Sequence, residues 1–134
     1  MTYLLDTNAC ISFLNNPDSP IRERLQALVP SSVALCSTVE AELYYGVMKS
    51  KIPSKNLAKL TIFLTQFVSF PFDSRAAQEF GRIRAKLAKA GTPIGPYDLQ
   101  IAAIAMVNGL TLVSHNTREF LRVTGLQLED WEQG

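Results

Sequence analysis

The sequence predicts an α/β fold: a parallel sheet of four to five strands covered by helices on both faces. Two observations carry this. Short apolar runs of strand length recur along the 134 residues. Between them lie longer segments whose apolar residues fall three and four apart, bounded by Pro, Gly and Asn. Strands that alternate with helices in this way build a parallel sheet with helical layers.

Each element has its own local reason. Residues 2–6 are a short apolar run ending in an acid, a buried strand by length and position. Residues 8–14 read as a short helix, stopped by Asn15-Asn16-Pro17-Asp18. Ser19-Pro20 opens a second helix with Pro20 at its first position, and Ile21, Leu25 and Leu28 follow at helical spacing before Pro30. Residues 33–36 form the next strand and 37–49 the next helix. Pro53 opens another, along which Leu57, Leu60, Leu64 and Phe67 repeat at three and four. A strand at 68–72 precedes an amphipathic helix at 74–90, with Ala77, Phe80, Ile83 and Leu87 on one side and Gly91 at its end. The loop 91–95 leads to an apolar helix at 96–108, ended by Gly109. A strand at 110–114, a short helix at 116–123 and a last strand at 126–128 complete the chain.

The length fits one domain, residues 1–134, and 47% hydrophobic residues suffice for a core without disulfides. The net charge of +1 excludes a disordered polyelectrolyte and a polycationic nucleic-acid coat, though not a local basic patch. Cys10 and Cys36 stand in apolar surroundings outside any CxxC pattern, and His115 is the sole histidine, which argues for two reduced thiols and against structural zinc. The opening Met-Thr-Tyr-Leu-Leu-Asp lacks the form of a signal peptide, and no apolar run reaches the roughly twenty residues of a membrane span. The expectation is a cytoplasmic protein.

Ligand sites of parallel sheets form beyond the carboxyl ends of the strands. Four polar residues fall there: Asp6 at the end of the first strand, Glu42 in the early turns after the second, Asp98 in the first turn of the helix from Pro96, and Asn116 past the strand 110–114. Carboxylates that converge repel one another unless a cation sits between them, and an all-oxygen donor set suits Mg²⁺ or Mn²⁺. Such an ion activates water and offsets charge on a phosphoryl oxygen, so the fitting substrate is a phosphodiester. Each residue also has a structural alternative. Asp6 can cap a helix, Asp98 can complement a helix dipole, and Asn116, with Glu119 three residues on, can be a cap. Ser37 and Glu40 have capping-box spacing, which gives Glu40 a structural task and leaves Glu42 for the site. Thr7, Asn116, Ser114, Ser37 and Thr117 are candidate supporting hydrogen-bonding groups. His115 is a general base or a surface residue.

Lys51, Lys55 and Lys59 recur every four residues, and Arg82, Lys86 and Lys89 line another helix face. These are solvated faces or phosphate contacts. Tyr44 and Tyr45 can stack on unpaired bases or pack in an interface. Arg82, Lys86 and Tyr45 are the candidate RNA contacts.

The ordered segments Leu4-Leu5-Asp6-Thr7-Asn8, Glu42-Leu43-Tyr44-Tyr45-Gly46, Ile94-Gly95-Pro96-Tyr97-Asp98-Leu99-Gln100 and Ser114-His115-Asn116-Thr117-Arg118-Glu119-Phe120, with the terminal stretch Leu126 to Trp131, resemble PIN-domain ribonucleases of the VapC toxin type, in an enteric-like branch. Together they span nearly the whole chain. The resemblance implies a PIN-like α/β/α sandwich and Mg²⁺- or Mn²⁺-dependent endoribonuclease activity at Asp6, Glu42 and Asp98, with Glu42 reaching the metal directly or through water. Where many PIN domains carry a fourth acid, this sequence offers Asn116, which implies one firmly held ion. The likeness further implies cleavage of structured RNA such as initiator tRNA in the anticodon loop, a homodimer, and a VapB-type antitoxin that lays a C-terminal segment across the site. The early helices around Phe13, Ile21 and Leu25 are a candidate interface. Two other readings compete: an RNA- or antitoxin-binding module without catalysis, and a phosphatase with Asp6 as nucleophile. The latter commonly needs a second acid two residues on, where this chain has Asn8.

Overall fold

The computed structural model describes residues 2–132. Its strands are β1 (Tyr3–Leu5), β2 (Val33–Cys36), β3 (Val68–Phe70), β4 (Thr111–Val113) and β5 (Leu128–Glu129). Its helices are α1 (Thr7–Asn15), α2 (Pro20–Gln26), α3 (Ser37–Met48), α4 (Pro53–Leu64), α5 (Ser74–Ala90), α6 (Pro96–Val107) and α7 (Thr117–Phe120), with a 3₁₀ turn at Pro30–Ser32. The strands form one sheet in the order β3-β2-β1-β4-β5, and every pairing is parallel. The expected α/β/α architecture is present.

The order reverses at β1. The chain winds outward from β1 to β3, then returns to the other side of β1 for β4 and β5. Right-handed crossovers then place α1–α4 on one face and α5–α7 on the other. Connections that leave on opposite faces open a crevice at the strand ends between β1 and β4. The registers Leu5↔Val113 and Tyr3↔Thr111 bring the two strand ends level, so Asp6 and Ser114 emerge side by side.

Burial explains why these runs became strands and helices. Leu4 and Leu5 of β1, all of β2, and Leu112 and Val113 of β4 are buried, as central parallel strands require. Edge strand β3 leaves Val68 and Ser69 exposed. Helix α6 buries Leu99 and the run Ile101 to Ala105, which accounts for its apolar character on all sides. It packs antiparallel to α5, whose Arg75 Nη2 donates to Asn108 Oδ1 at 3.2 Å at the far end of the pair. Gly91, at φ 72°, ends α5 in the left-handed conformation that favours glycine. Trp131 is buried edge-on to Tyr3, with ring centroids 5.1 Å apart, and its Nε1 donates to Glu129 Oε1 at 3.0 Å.

Several expectations are corrected. The last strand lies at Leu128–Glu129 rather than 126–128, because its position is set by pairing with Leu112 and Val113 and not by local hydrophobicity. Helix α7 is one short turn. The Ser37–Glu40 capping box does not form: β2 runs directly into α3, so Cys36 takes the cap position and Ser37 becomes the first helical residue. Ser37 Oγ instead accepts the Phe72 N–H at 3.1 Å, and Glu40 accepts from the Ser69 hydroxyl. The early helices offer no free interface around Ile21, which is 1% exposed. Phe13 and Leu25 pack against the same core, and Phe13 lies 5.3 Å from the Phe63 ring. Cys10 and Cys36 are free and buried, as expected.

Candidate active site

Asp6 leaves β1 as the N-cap of α1, and its Oδ1 accepts the Ala9 N–H at 2.8 Å. The capping alternative is therefore real, and it leaves Asp6 at the crevice all the same. Only 4% of the residue is exposed. Burial pushes its carboxyl up to about 6, partly offset by Ser114 and the Ala9 N–H, while Glu132 and Glu42 push it further up. Asp98, in the first turn of α6, is also pushed up to about 6, by burial first, then by Glu119, with Asp6 and Glu42 adding repulsion. A helix N-terminus favours ionised acids; here desolvation and like charge win.

Glu42 is half-buried on α3, and Thr7 Oγ1 donates to its Oε1 at 2.5 Å across 35 residues of sequence. Thr7 thus holds Glu42 toward the α1 side of the crevice. Ser114 Oγ accepts the Asn116 N–H at 3.0 Å. Asn116 stands at the start of α7 without a capping bond from its side chain. Its Nδ2 donates instead to Glu119 Oε2 at 3.0 Å. Sequence reasoning missed Glu119 as a site residue. Its spacing from Asn116 reads as a cap, yet the single turn of α7 carries its carboxyl to Asp98. The available signal was that an acid three residues past the cap of a short helix that follows a strand faces the same edge as that cap.

Asp6, Glu42, Asp98 and Glu119 thus share one electrostatic neighbourhood. Among the described residues, the trio whose donor atoms all lie within 4.8 Å of one another is a different one: His115, Asp130 and Glu132. Asp6 is buried and the other three acids are half-buried, and Asp98 is hydrogen-bonded to Glu119. The donor set nonetheless fits a hard divalent cation. It is all oxygen, no cationic side chain pairs with it among the described residues, and two of its carboxyls are held up in pKa by burial and neighbouring acids.

The remaining predicted contacts separate. Lys86 is exposed on α5. Arg82 is exposed but paired with Glu79, Nε to Oε1 at 3.0 Å. Lys59 is engaged by the Leu14 carbonyl at 2.8 Å. Tyr45 is 66% exposed, with Lys49 Nζ 4.9 Å from its ring centroid. His115 is exposed, its Nδ1 2.9 Å from Asp130 Oδ2, and Asp130 raises its pKa.

Residues 3–126 match the PIN domain family. The chain belongs to that family. It is 43% identical over 131 residues to the tRNA(fMet)-specific endonuclease VapC of Salmonella typhimurium, covering 98% of each chain. It is 38% identical over 134 residues to ribonuclease VapC2 of Rickettsia felis, covering 99% of this chain and 100% of that one. The toxin-type chain in the crystal structure of DNA-bound VapBC from Salmonella typhimurium superposes with a TM-score of 0.91 at 42% identity, covering 98% of each. This PIN domain is a VapC-type ribonuclease.

Proposed function

We propose that the chain is the toxin of a toxin–antitoxin pair and cleaves a structured RNA, a tRNA of the initiator class, within its anticodon loop. The observation that carries this is the convergence of Asp6, Glu42, Asp98 and Glu119 at the β1/β4 reversal, with Asp6 and Asp98 held up to about 6. The name of the Salmonella relative supports the substrate, and the VapBC complex supports an antitoxin partner. Residues 1–134 act as one PIN domain. No helix of the described residues is long and apolar enough to cross a membrane, and a tRNA substrate goes with a cytoplasmic location. A homodimer remains part of the reading.

Asp6, Asp98 and Glu42 would hold Mg²⁺ or Mn²⁺, with Glu119 alongside. The bound ion supplies an activated water and charge neutralisation at the phosphodiester. The protein side does the rest. The Thr7 hydroxyl orients Glu42. Ser114, through the Asn116 N–H, fixes the turn after β4. Asn116 holds Glu119 by its amide, so it is a supporting residue and not a donor to the site. Lys86, Arg82 and Tyr45 would contact the RNA outside the crevice. An antitoxin segment would enter from the cleft beside Glu42, of about 240 Å³, whose walls mix Leu14, Val47 and Leu60 with Asn15, Asn56 and Lys59.

The test is incubation of purified chain with total RNA and either cation, with mapping of the cleaved ends. Cleavage of one tRNA loop, abolished by chelator and by Asp6→Asn with the fold intact, is expected. Undiminished cleavage by Asp6→Asn at matched metal overturns the site.

A further inference from the structure

A second cleft adjoins the acids. It measures about 590 Å³, inside the roughly 300–1,000 Å³ range of small-ligand pockets. Three helices wall it. Thr7 and Ile11 come from α1, a stripe of Thr38, Glu42, Tyr45 and Lys49 from α3, and Tyr97 and Gln100 from α6. The spacings explain the grouping: residues three, four, seven and eleven apart share a helix face, and so do Tyr97 and Gln100. Asp98, between those two, faces Glu119 instead. The helix start that supplies an acid to the crevice therefore turns its other face to this cleft. Glu42 and Thr7 belong to both.

The chemistry of the walls is uneven. Tyr97 is 58% exposed and Tyr45 66%, large exposure for aromatic residues beside a site. Lys49 carries the cationic group, poised over Tyr45. Gln100 is half-buried, and the buried Thr38 donates its hydroxyl to Gln100 Oε1 at 2.9 Å. With its oxygen engaged, the amide keeps its NH₂ group as the end left for a ligand. Glu42 lines the cleft and also acts on Asp6 and Asp98, so the cleft adjoins the acids at that residue.

We propose that this cleft seats the unpaired nucleotide next to the scissile phosphate. Its base stacks on Tyr97, the Gln100 amide donates to an acceptor on the base edge, and Lys49 meets the following phosphate. Stacking faces take any base, whereas a fixed donor discriminates among edges. Gln100 is thus the specificity-determining residue, and Thr38 is the positioning residue that fixes which end of the amide the base meets. The base must be unpaired, because neither tyrosine face reaches into a duplex. The inference rests on the ribonuclease reading above.

The experiment uses the full chain with a hairpin RNA whose loop is randomised, sequencing of cut ends, and steady-state kinetics. Wild type is expected to prefer particular bases at one position flanking the cut. Gln100→Leu should lower that preference about tenfold at this position and leave other positions unchanged. Thr38→Val should broaden the same preference, since the freed amide can present either end. Tyr97→Ala should raise KM about tenfold with kcat within about threefold, and Tyr97→Phe should restore it. Independently of cleavage, an RNA loop carrying the fluorescent base 2-aminopurine should be quenched on binding to Asp98→Asn protein in chelator, and not to the Asp98→Asn, Tyr97→Ala double variant. Unchanged base preference in Gln100→Leu, or equal quenching with and without Tyr97, overturns the proposal. So does a loss of antitoxin binding in these variants with RNA preference intact, which would make the cleft a protein dock. If wild-type protein cuts no RNA, the ribonuclease reading fails, while the quenching assay still decides the cleft.

Discussion

Two groups of acids lie within reach of Asp6, and they have opposite character. Asp6, Glu42, Asp98 and Glu119 are buried or half-buried and have no cationic partner among the described residues, and burial and mutual repulsion raise the pKa of Asp6 and Asp98 to about 6. Asp130 and Glu132 instead meet His115, which is exposed, and the stress falls on the histidine as a raised pKa. Asp130 Oδ1 also accepts the Glu132 N–H at 2.9 Å. The second group is closer-packed and internally satisfied. The first is frustrated, and an outside charge is what would relieve it. Geometric tightness and uncompensated charge therefore point to different clusters, and the proposed site follows the charge, because perturbed carboxyls in a crevice mark functional candidates.

That contrast can be broken by substitution. The largest effect is expected at Asp6. Asp6→Asn should lower RNA cleavage by about a thousandfold or more, since several kcal/mol of transition-state stabilisation depend on the cation it would hold. Its folding should persist, because asparagine caps a helix as well as aspartate does; circular dichroism and thermal melting check this. Asp6→Ala should lose about 1 kcal/mol of stability beyond Asp6→Asn, by loss of the bond to Ala9.

Glu119→Gln comes next. If Glu119 belongs to the frustrated group, the variant should cut RNA about ten- to a hundredfold more slowly and yet melt at higher temperature, because one member of a repelling pair is removed. A variant that is both less stable and fully active would return Glu119 to the structural role its spacing from Asn116 predicts.

The pH dependence follows from Asp6 and Asp98. Their folded pKa values, about 6, exceed the ordinary 3.8, so the folded chain binds more protons than the unfolded chain between these values. Their contribution to stability is full below about pH 4 and is lost as pH rises through about 6. In chelator, the melting advantage of an Asp6→Asn, Asp98→Asn double variant over wild type should therefore grow from pH 5 to pH 7. Added Mg²⁺ or Mn²⁺ should raise the wild-type melting temperature more at pH 7 than at pH 5, since protons and cation compete for the same carboxyls. The smallest effect is expected at His115. His115→Ala removes an exposed imidazole from its pair with Asp130, so stability should change little and cleavage by only a few-fold. A loss as large as that at Asp6 would show that the satisfied group takes part in the reaction.

Particular residues show how far the sequence reads. Thr7–Asn15 and Ser74–Ala90 are legible because punctuation and periodicity agree there, and both helices form within a residue of their expected bounds. Asp6, Glu42 and Asp98 are legible as edge residues because each follows a strand or opens a helix in a fold whose ligand edge is fixed by parallel topology. Ser37 and Glu40 mislead because a capping-box pattern presumes a residue between strand and helix, and β2 and α3 leave none. Glu119 and Gln100 are invisible for a related reason. Their roles depend on partners 21 and 62 residues away, Asp98 and Thr38, and no local pattern encodes such a partner.

The sequence by itself determined the alternation of strands and helices, the parallel sheet, and the edge at which Asp6, Glu42 and Asp98 meet, because periodicity, caps and chain reversals are local properties. Tertiary structure alone decided the reversal of strand order at β1, the turn of α7 that brings Glu119 to Asp98, and the cleft shared by α1, α3 and α6. These depend on which elements pack side by side, and that is settled by burial summed over the whole core rather than by any one segment.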